Sequence, residues 1–306
     1  MLLTDARGPT TAAVMARAEG ENFPVASRVL RRRVRAHLLA VYGFARLVDE
    51  LGDATRDGSS AAGRLAALDE LERELDRALD GRATDPLLVR LQPTLRECGL
   101  GREPFVRLIE ANRMDQRVSR YETWEQLRGY CALSADPVGE IVLRVFGKAS
   151  AERIAFSDSV CTALQVAEHL QDVAEDVAAG RFYVPAEDLA RFGATHEDVR
   201  AFVTLEHAAP SVAQGVRGAL AFEVARARSL LREGAPLIDT LRGRERLAVA
   251  AFVAGGHAAL DAIERAGYDV RRGAPRASST RRLLALARVL ADHSRGRSWR
   301  PHAQHA

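Results

Sequence analysis

A long helical segment near the middle of the chain constrains the fold more than any other stretch. Residues 157–179 carry apolar side chains around most of a helical circumference and contain no proline or glycine, which predicts a helix buried on most sides. Gly180 follows as the expected C-cap. At about 1.5 Å per residue this helix would be roughly 33 Å long, enough to cross a whole domain. The rest of the chain is therefore expected to pack around it.

A polar stripe interrupts this apolar helix. Gln165, Glu168, Asp172 and Asp176 follow one another at spacings of three, four and four, which puts them on one face. Like charges at i,i+4 cost about 0.2–0.5 kcal/mol per pair, and burial raises that cost unless a cation lies between them. Mg²⁺ takes oxygen ligands and bridges carboxylates to phosphates, so it is the simplest neutraliser; a solvated acidic face is the alternative. His169 is predicted to point about 100° away from the stripe.

A second acidic pair lies more than a hundred residues earlier. Asp49 and Asp53 are also spaced i,i+4, at the end of a helix predicted over residues 34–51, and Arg46 lies one turn before Asp49. If the two pairs face each other, they form a cleft of four carboxylates that holds two or three Mg²⁺ ions and, through them, a diphosphate. Arg46 and Arg181 would neutralise phosphate oxygens. The alternative for Arg46 is an intrahelical pair with Asp49.

The helical interior behind such a site would suit a long hydrocarbon and shield a carbocation from water. Aromatic faces stabilise positive charge by cation–π contact, and the candidates are Phe23, Tyr42, Tyr130 and Tyr183. Each has a structural alternative. The alternative for Tyr130 is a core tyrosine with a satisfied hydroxyl, and the alternative for Phe23 is a hydrophobic staple at a helix start.

The whole chain reads as helical. Alanine, leucine and arginine dominate its 306 residues, and no segment alternates like a strand. We expect an all-α, single-domain helical bundle with a central cavity, made of residues 1–273 and followed by an Arg-rich helix and tail over residues 274–306. Besides short N-terminal helices at 10–20 and after Pro24, helices are predicted near 60–80, 86–98, 103–117, 123–146 with a kink at Pro137, 195–207, 210–233, 240–267 and 278–293.

The charge distribution and the cysteine content limit which cellular compartment and which binding partners we expect. The net charge is +3, yet Arg271–Arg300 holds nine arginines and one acid, which favours an anionic partner such as a membrane surface or a nucleic acid; a solubilising tail is the alternative. The chain has three cysteines, Cys98, Cys131 and Cys161. Their odd number indicates free thiols in a reducing compartment. The sequence offers no secretory signal, and the apolar stretch Leu247–Ile263 is expected to be a buried core helix, so we expect a cytoplasmic protein.

Three rival functions are weaker. A di-iron bundle needs a histidine three residues after a glutamate on facing helices, and Glu168 has none. Nucleic-acid binding would depend on the tail alone, without an aromatic platform beside it, so no nucleic acid is expected. A non-catalytic helical assembly or lipid carrier would not require two intact acidic pairs.

Taken in order, these motifs resemble the squalene/phytoene synthase family over about residues 15–273. The resemblance implies an all-α isoprenoid synthase fold, Mg²⁺-diphosphate binding by both aspartate pairs, and a shared cleft lined by Arg46, Tyr130, Gln165, Arg181 and Tyr183. The motifs are Tyr42…Arg46-Leu-Val-Asp49-Glu-Leu-Gly-Asp53, Tyr130-Cys131, Gln165-x-x-Glu168-x-x-x-Asp172-x-x-x-Asp176, Arg181-Phe-Tyr183-Val-Pro185 and Gly267-Tyr268-Asp269-Val270.

Departures from the usual family pattern point to one branch. Glu168 stands where the family usually has Asn, and Gly255-Gly256 where a Tyr is often found. With Glu21-Asn22 ahead of Phe23 and SADPVG at 134–139, they resemble the HpnC-type hydroxysqualene synthases of bacterial hopanoid pathways.

The branch resemblance implies conversion of presqualene diphosphate and water to hydroxysqualene and diphosphate. No NADPH is expected, because water rather than hydride ends the reaction, and Glu168 is assigned to orienting that water. The alternative is condensation of two farnesyl diphosphates to presqualene diphosphate, squalene or a carotenoid precursor. The expected partners are a prenyl diphosphate substrate, pathway enzymes that exchange it, and the inner face of the membrane.

Overall fold

The computed structural model describes residues 29–52, 60–204, 209–271 and 273–294. Within these ranges the chain forms helices and no strand, and one isolated bridge joins Arg120 to Phe182. The predicted all-α class is confirmed. The helices predicted at 10–20 and after Pro24 lie outside the described residues, as do Phe23 and Asp53. The helices are α1 Arg32–Gly52, α2 Ala61–Leu79, α3 Pro86–Glu97, α4 Glu103–Met114, α5 Trp124–Ser134, α6 Asp136–Val145, α7 Ala151–Gln171, α8 Val173–Ala178, α9 Ala186–Arg191, α10 His196–Thr204, α11 Pro210–Gly234, α12 Leu237–Thr240, α13 Gly243–Arg265 and α14 Ser279–Ser294.

The helices form two compact units. The first contains the described residues up to Val118 together with Tyr130–Ile154, and the second contains Ser119–Gly129 together with the chain from Ala155 onwards. Helices α5 and α7 each contribute to both units. The predicted domain boundary between residues 273 and 274 stays a prediction.

Helix α1 is the centre of the first unit and packs against α2, α3, α4 and α6. Its Phe44 is fully buried and meets Phe105 of α4 edge to face, with ring centroids 5.1 Å apart. At its last residue, Gly52, a Cβ would lie 2.1 Å from Asn112 Oδ1. Only glycine allows α4 to approach the end of α1 so closely, so this contact fixes the helix end that carries Asp49.

Helix α7 has an apolar face that is buried at Val160, Ala163 and Val166. Two glycines let neighbouring helices approach it. A Cβ at Gly234 would lie 2.5 Å from the Phe156 carbonyl oxygen, and one at Gly256 would lie 2.8 Å from a methyl carbon of Leu164. Gly234 at the end of α11 and Gly256 within α13 therefore allow these two helices to pack closely against α7.

The predicted helix over residues 157–179 differs from the structure at both ends and in the middle. It begins earlier, at Ala151, and α7 ends at Gln171, one residue before a short second helix, α8. Asp172 between them has φ −100° and ψ 12°. Its amide still donates to the Glu168 carbonyl at 3.0 Å, so the interruption is a local distortion. Aspartate has low helix propensity, and carboxylates crowd this turn, so the helix is weakest there.

Prolines explain two further differences. The kink predicted at Pro137 is a full break, because α5 ends at Ser134 and α6 starts at Asp136 with the proline in its first turn, where no amide hydrogen is needed. The segment between residues 181 and 195, where no helix was predicted, contains a short helix, α9, which Pro185 precedes.

Helix α13 is the one described helix that is long and apolar enough to cross a membrane by length and composition. Of its most apolar 18-residue stretch, 56 % is buried, and it packs against α11, α12 and α14. Asp261 on its outer side pairs with Arg228 of α11 at 2.7 Å. The burial agrees with the core helix expected over Leu247–Ile263.

Candidate active site

The end of α1 carries the first predicted acidic pair. Asp49 is exposed in the last turn of the helix, and Asp53 lies outside the described residues. The side-chain amide of Gln116 donates to the Gly52 carbonyl at 2.9 Å, and Arg64 Nε donates to the other end of Gln116 at 2.6 Å. These bonds satisfy a carbonyl that the helix end leaves open and hold the chain where the pair begins.

The Arg46 guanidinium lies beside Glu50, which was not among the predicted site residues. Arg46 Nε is 3.7 Å from Glu50 Oε1, one turn along the helix, and only 5 % of the Glu50 side chain is exposed. Residues four apart are neighbours on a helix surface, so this is an intrahelical contact. The alternative pairing of Arg46 with Asp49 stays a prediction.

Tyr130 and Tyr42 were both predicted to line the site, and their surroundings in the structure differ from each other. Tyr130 is buried, and its hydroxyl donates to Asp115 Oδ2 at 3.0 Å, so it has the satisfied hydroxyl that the structural alternative expected. Tyr42 is half-buried in the middle of α1. Asp115 follows α4 directly, next to the Gln116 that holds the end of α1, so Tyr130 is anchored to the same chain segment.

The second acidic cluster spans the junction of α7 and α8. Gln165, Asp172 and Asp176 are half-buried, whereas Glu168 is exposed. Burial, followed by the negative charges of Glu168, Glu175 and Asp176, raises the pKa of Asp172 to about 6. A pKa this high means that the ionised form of Asp172 is destabilised. The cluster therefore has too little positive charge near it to balance its carboxylates.

His169 belongs to this cluster, and the prediction that it points away from the stripe was wrong. At 100° per residue it lies about 100° from Glu168, but only about 40° from Gln165 and about 20° from Asp176. Its Nε2 is 3.0 Å from the Gln165 side-chain nitrogen, and its Nδ1 is 3.7 Å from Asp176 Oδ2. The sequence signal that could have placed His169 in the cluster is its spacing, four residues after Gln165 and seven before Asp176.

An aromatic stack lies against the same imidazole. The rings of His169 and Tyr183 are 3.6 Å apart and nearly parallel, and Tyr183 in turn stacks on the fully buried Tyr121 at 5.7 Å. Tyr183 was predicted to line the site, whereas Tyr121 was not predicted. The isolated bridge at Phe182 fixes this strand-like turn, because the Phe182 amide donates to the Ser119 carbonyl at 2.8 Å.

A glycine cap places Arg181 at the end of α8. Gly180 has φ +77°, its amide donates to the Val177 carbonyl at 3.0 Å, and the Arg181 amide donates to the Asp176 carbonyl at 2.8 Å. This pair of bonds is the Schellman motif, which needs a left-handed residue and so favours glycine. Arg181 therefore follows directly on the turn that carries Asp176, and its binding of phosphate stays a prediction.

The cavity beside this cluster is small. It has a volume of about 10 Å³ and is lined by His169, Asp176, Arg181 and His196, among others, so it has room for about one water. A larger cavity of about 320 Å³ lies in the first unit between Arg102 and Leu133, away from the predicted residues. The hydrocarbon cavity, and the facing of the two acidic pairs, stay predictions.

The second cluster fits a divalent cation. Asp176 Oδ2 is buried and accepts no hydrogen bond from the described residues, and Asp172 beside it has its raised pKa. Among the described residues no three histidine, cysteine, aspartate or glutamate side chains converge closely enough to hold an ion alone. Mg²⁺ does not need such a cage, because it keeps several waters and binds through one or two carboxylates together with substrate phosphates.

Comparison with known proteins identifies the family of the chain. Residues 16–283 match the sequence model of the squalene/phytoene synthase family. The chain is 37 % identical over 224 residues to hydroxysqualene synthase from Rhodopseudomonas palustris, covering 72 % of both chains. It is 35 % identical over 205 residues to presqualene diphosphate synthase from the same organism, covering 67 % of this chain and 72 % of the relative. The crystal structure of squalene synthase HpnC from Alicyclobacillus acidocaldarius superposes with a TM-score of 0.75 at 47 % identity, over 83 % of this chain and 92 % of that one.

The fold is therefore that of the all-α isoprenoid synthases, and the predicted resemblance is confirmed. The chain belongs to the squalene/phytoene synthase family and is an enzyme of that type.

Proposed function

We propose that this enzyme converts presqualene diphosphate and water to hydroxysqualene and diphosphate. The observation that carries the proposal is the half-buried carboxylate cluster of α7 and α8, with Arg181 on the next turn. One Asp176 oxygen of this cluster is buried and has no hydrogen bond within the part of the chain that the structure describes. Such a cluster suits a cation-bound diphosphate. The choice of reaction is supported by the similarity to hydroxysqualene synthase.

In this proposal Asp49, Asp53, Asp172 and Asp176 hold two or three Mg²⁺ ions. When bound, Mg²⁺ supplies the positive charge that makes diphosphate a good leaving group. Arg181 binds phosphate oxygens from the capped end of α8, and Arg46 does so from α1.

The carbon–oxygen bond to diphosphate breaks, the resulting carbocation rearranges, and water adds to it with loss of a proton. Tyr183 is stacked between His169 and Tyr121, so both faces of its ring are covered and its role in this proposal is to hold the His169 ring beside the carboxylates. Glu168 is the exposed member of the stripe, so it is the carboxylate best placed to accept a hydrogen bond from the incoming water. No NADPH is consumed, because no hydride is transferred.

The second candidate is condensation of two farnesyl diphosphates, and two observations favour it. The chain is 35 % identical to a presqualene diphosphate synthase, and the solved relative at 47 % identity is described as a squalene synthase.

A product assay separates the two reactions. Purified protein with Mg²⁺ receives either presqualene diphosphate or farnesyl diphosphate, with and without NADPH. We expect hydroxysqualene from presqualene diphosphate alone, unchanged by NADPH. Presqualene diphosphate formed from farnesyl diphosphate would establish the condensation instead, and squalene formed only with NADPH would contradict the water-capture step. Both reactions would take place in the cytoplasm at the inner face of the membrane, where pathway enzymes exchange the lipid.

Asp172→Asn tests the carboxylate cluster. We expect turnover to fall by about a thousandfold, because a charged ligand of the diphosphate site is lost. Without Mg²⁺ at neutral pH the variant should melt a few degrees higher than the wild type, because it no longer bears a half-buried charge with a raised pKa. Circular dichroism measures both the melting and the helix content. A variant that loses helix content together with activity would indicate a structural role for Asp172.

A further inference from the structure

Two arginines of the second unit share one aromatic ring and one carboxylate. The guanidinium carbons of Arg217 and Arg271 lie 5.8 Å and 5.2 Å from the ring centroid of the buried Phe202. Arg271 Nη2 donates to Asp269 Oδ2 at 2.6 Å, and Arg217 Nη2 donates to the same oxygen at 3.5 Å. The ring holds the two cations close together, and the carboxylate offsets their repulsion.

A second pair of arginines is built in the same way around Phe182. The guanidinium carbons of Arg120 and Arg200 lie 5.5 Å and 5.2 Å from its ring centroid. Arg120 is joined to Phe182 by the isolated bridge, and Arg200 comes from α10. The Phe182 ring is buried, whereas both arginines are exposed. Two separate elements therefore bring two cations to the surface over one ring.

This second pair lacks the shared carboxylate of the first. Within the described part of the chain Arg120 forms no ion pair. Arg200 Nε lies 3.2 Å from Glu197 Oε2 on the same helix, and 68 % of the Glu197 side chain is exposed. An exposed ion pair of this kind contributes little. No described carboxylate contacts both arginines as Asp269 does in the first pair, so the second pair keeps an excess of positive charge.

The second pair lies beside the candidate active site. Phe182 lines the small cavity that Asp176 and Arg181 also line. Both guanidinium carbons of the pair lie within 5.5 Å of one ring centroid, so one anion with several oxygens can reach both arginines. Such an anion would do for this pair what the Asp269 carboxylate does for the pair over Phe202.

We propose that Arg120 and Arg200 form a surface site for a diphosphate group. Planar guanidinium groups bind phosphoryl oxygens two at a time. A diphosphate also carries enough negative charge to neutralise both cations. The binding itself is independent of the reaction. Only its use, capture of the head group of the substrate next to Arg181, rests on the proposed function.

Calorimetric titration of the full-length protein with inorganic diphosphate tests this site. EDTA is present, so that no cation carries diphosphate to the carboxylate cluster. We expect Arg120→Gln with Arg200→Gln to weaken diphosphate binding about tenfold. Arg120→Lys with Arg200→Lys should weaken it only about threefold, because lysine keeps the charge but lacks the planar fork. Circular dichroism checks that both double variants keep their helix content.

Arg217→Gln is the matched control, because Arg217 also lies over a phenylalanine ring but is paired with Asp269. It should leave diphosphate binding unchanged. The proposed site is wrong if the wild type binds no diphosphate in EDTA, or if the double glutamine variant binds it as tightly as the wild type. An equal loss in Arg217→Gln would also contradict the site, since net charge alone would then explain the binding.

Phosphatidylglycerol vesicles provide the alternative phosphate source. If the double glutamine variant loses binding to these vesicles but not to diphosphate, the ligand is a lipid head group and the proposed site is wrong. No substrate is turned over in the titration, so a wrong site and a wrong reaction are distinguished.

Discussion

His169 organises more of the candidate site than any other single side chain on α7. The Gln165 side-chain nitrogen lies 3.0 Å from His169 Nε2, and His169 Nδ1 lies 3.7 Å from Asp176 Oδ2. One ring thus orients a predicted metal-binding carboxylate and, through its face, the side chain of Tyr183.

Exchanging the ring separates these two effects. His169→Phe keeps a flat ring against Tyr183 but removes both nitrogens, so its melting temperature should stay close to that of the wild type. The Mg²⁺ concentration for half-maximal turnover should rise about tenfold, because Asp176 loses its orienting neighbour. His169→Ala should show the same rise and also melt lower, since the stack is lost. Unchanged Mg²⁺ dependence in both variants would mean that the ring nitrogens of His169 have no effect on Mg²⁺ binding.

At the residue scale, the sequence was informative where spacing alone decides contact. Gln165, Asp172 and Asp176 were predicted to share one helix face because their spacings through Glu168 are three, four and four, and their assignment to the site stays a prediction. His169 was missed because its angle was measured from Glu168, which proves to be the exposed edge of the stripe. Tyr121 could not be found, because the isolated bridge between Arg120 and Phe182 brings it to Tyr183, and no local period encodes a contact between such distant segments.

Among the elements, the short helix α8 depends on its final glycine. Gly180 and Gly129 both have open space where a Cβ would be added, but only Gly180 has a positive φ, +77°. Gly129 lies inside helix α5, where alanine is the better residue. A comparison of alanine substitutions at Gly180 and Gly129 therefore measures the effect of backbone conformation, because neither substitution causes a steric clash.

Gly180→Ala should lower the free energy of unfolding by about 1 kcal/mol, because alanine resists the left-handed conformation. Inhibition by inorganic diphosphate should also weaken, because the cap that positions Arg181 loosens. Gly129→Ala should be stabilising by up to about 1 kcal/mol and leave diphosphate inhibition unchanged. Denaturant unfolding and diphosphate inhibition are measured on both. Equal losses in the two variants would contradict the role of the cap.

Helix positions were predictable from the sequence, whereas their interruptions were not. Most predicted helices end within a few residues of the observed ones, because Asp85-Pro86, Glu103-Pro104 and Gly180 mark starts and stops. The distortion at Asp172 arises from carboxylates crowding a half-buried turn, which depends on what packs around α7. The kink at Pro137 became a break for a related reason, since the surrounding helices decide how far a proline bends the chain.

Across the whole molecule, buried charges decide how stability responds to pH. In the second unit Asp188 and Glu223 are both buried, and Arg226 donates to both. Burial, opposed by Arg226 and assisted by the charge of Asp188, raises the pKa of Glu223 to about 8. In the first unit burial acts against Glu74, but hydrogen bonds from the Asp85 and Thr84 amides and from Arg77 bring its pKa to about 2.

The sequence predicted the all-α class and the family, because the motif order is specific. It did not predict the Arg226 network, because Asp188 and Glu223 come from different helices, and each glutamate or aspartate alone reads as a surface residue. Buried ion pairs are set by tertiary packing, so they become visible only when the helices are assembled.

These groups predict a pH profile for thermal unfolding in the absence of Mg²⁺. Glu74 has a lowered pKa, so its contribution is present above pH 4.5 and lost as the pH falls towards 2. Asp172 and Glu223 have raised pKa values, so their contributions are present at low pH and lost as the pH rises through about 6 and about 8. Stability should therefore peak at about pH 4 to 5 and fall on both sides.

Glu223→Gln should flatten the alkaline side of this profile. The amide mimics the protonated carboxyl, so the variant should match the wild type near pH 5 and exceed its stability above pH 8 by on the order of 1–3 kcal/mol. Glu233→Gln, at an exposed position of the same helix α11, is the control and should follow the wild type throughout. If the Glu223→Gln curve runs parallel to the wild type between pH 6 and 9, Glu223 is already ionised in the fold. The Arg226 network would then hold two buried carboxylates rather than one.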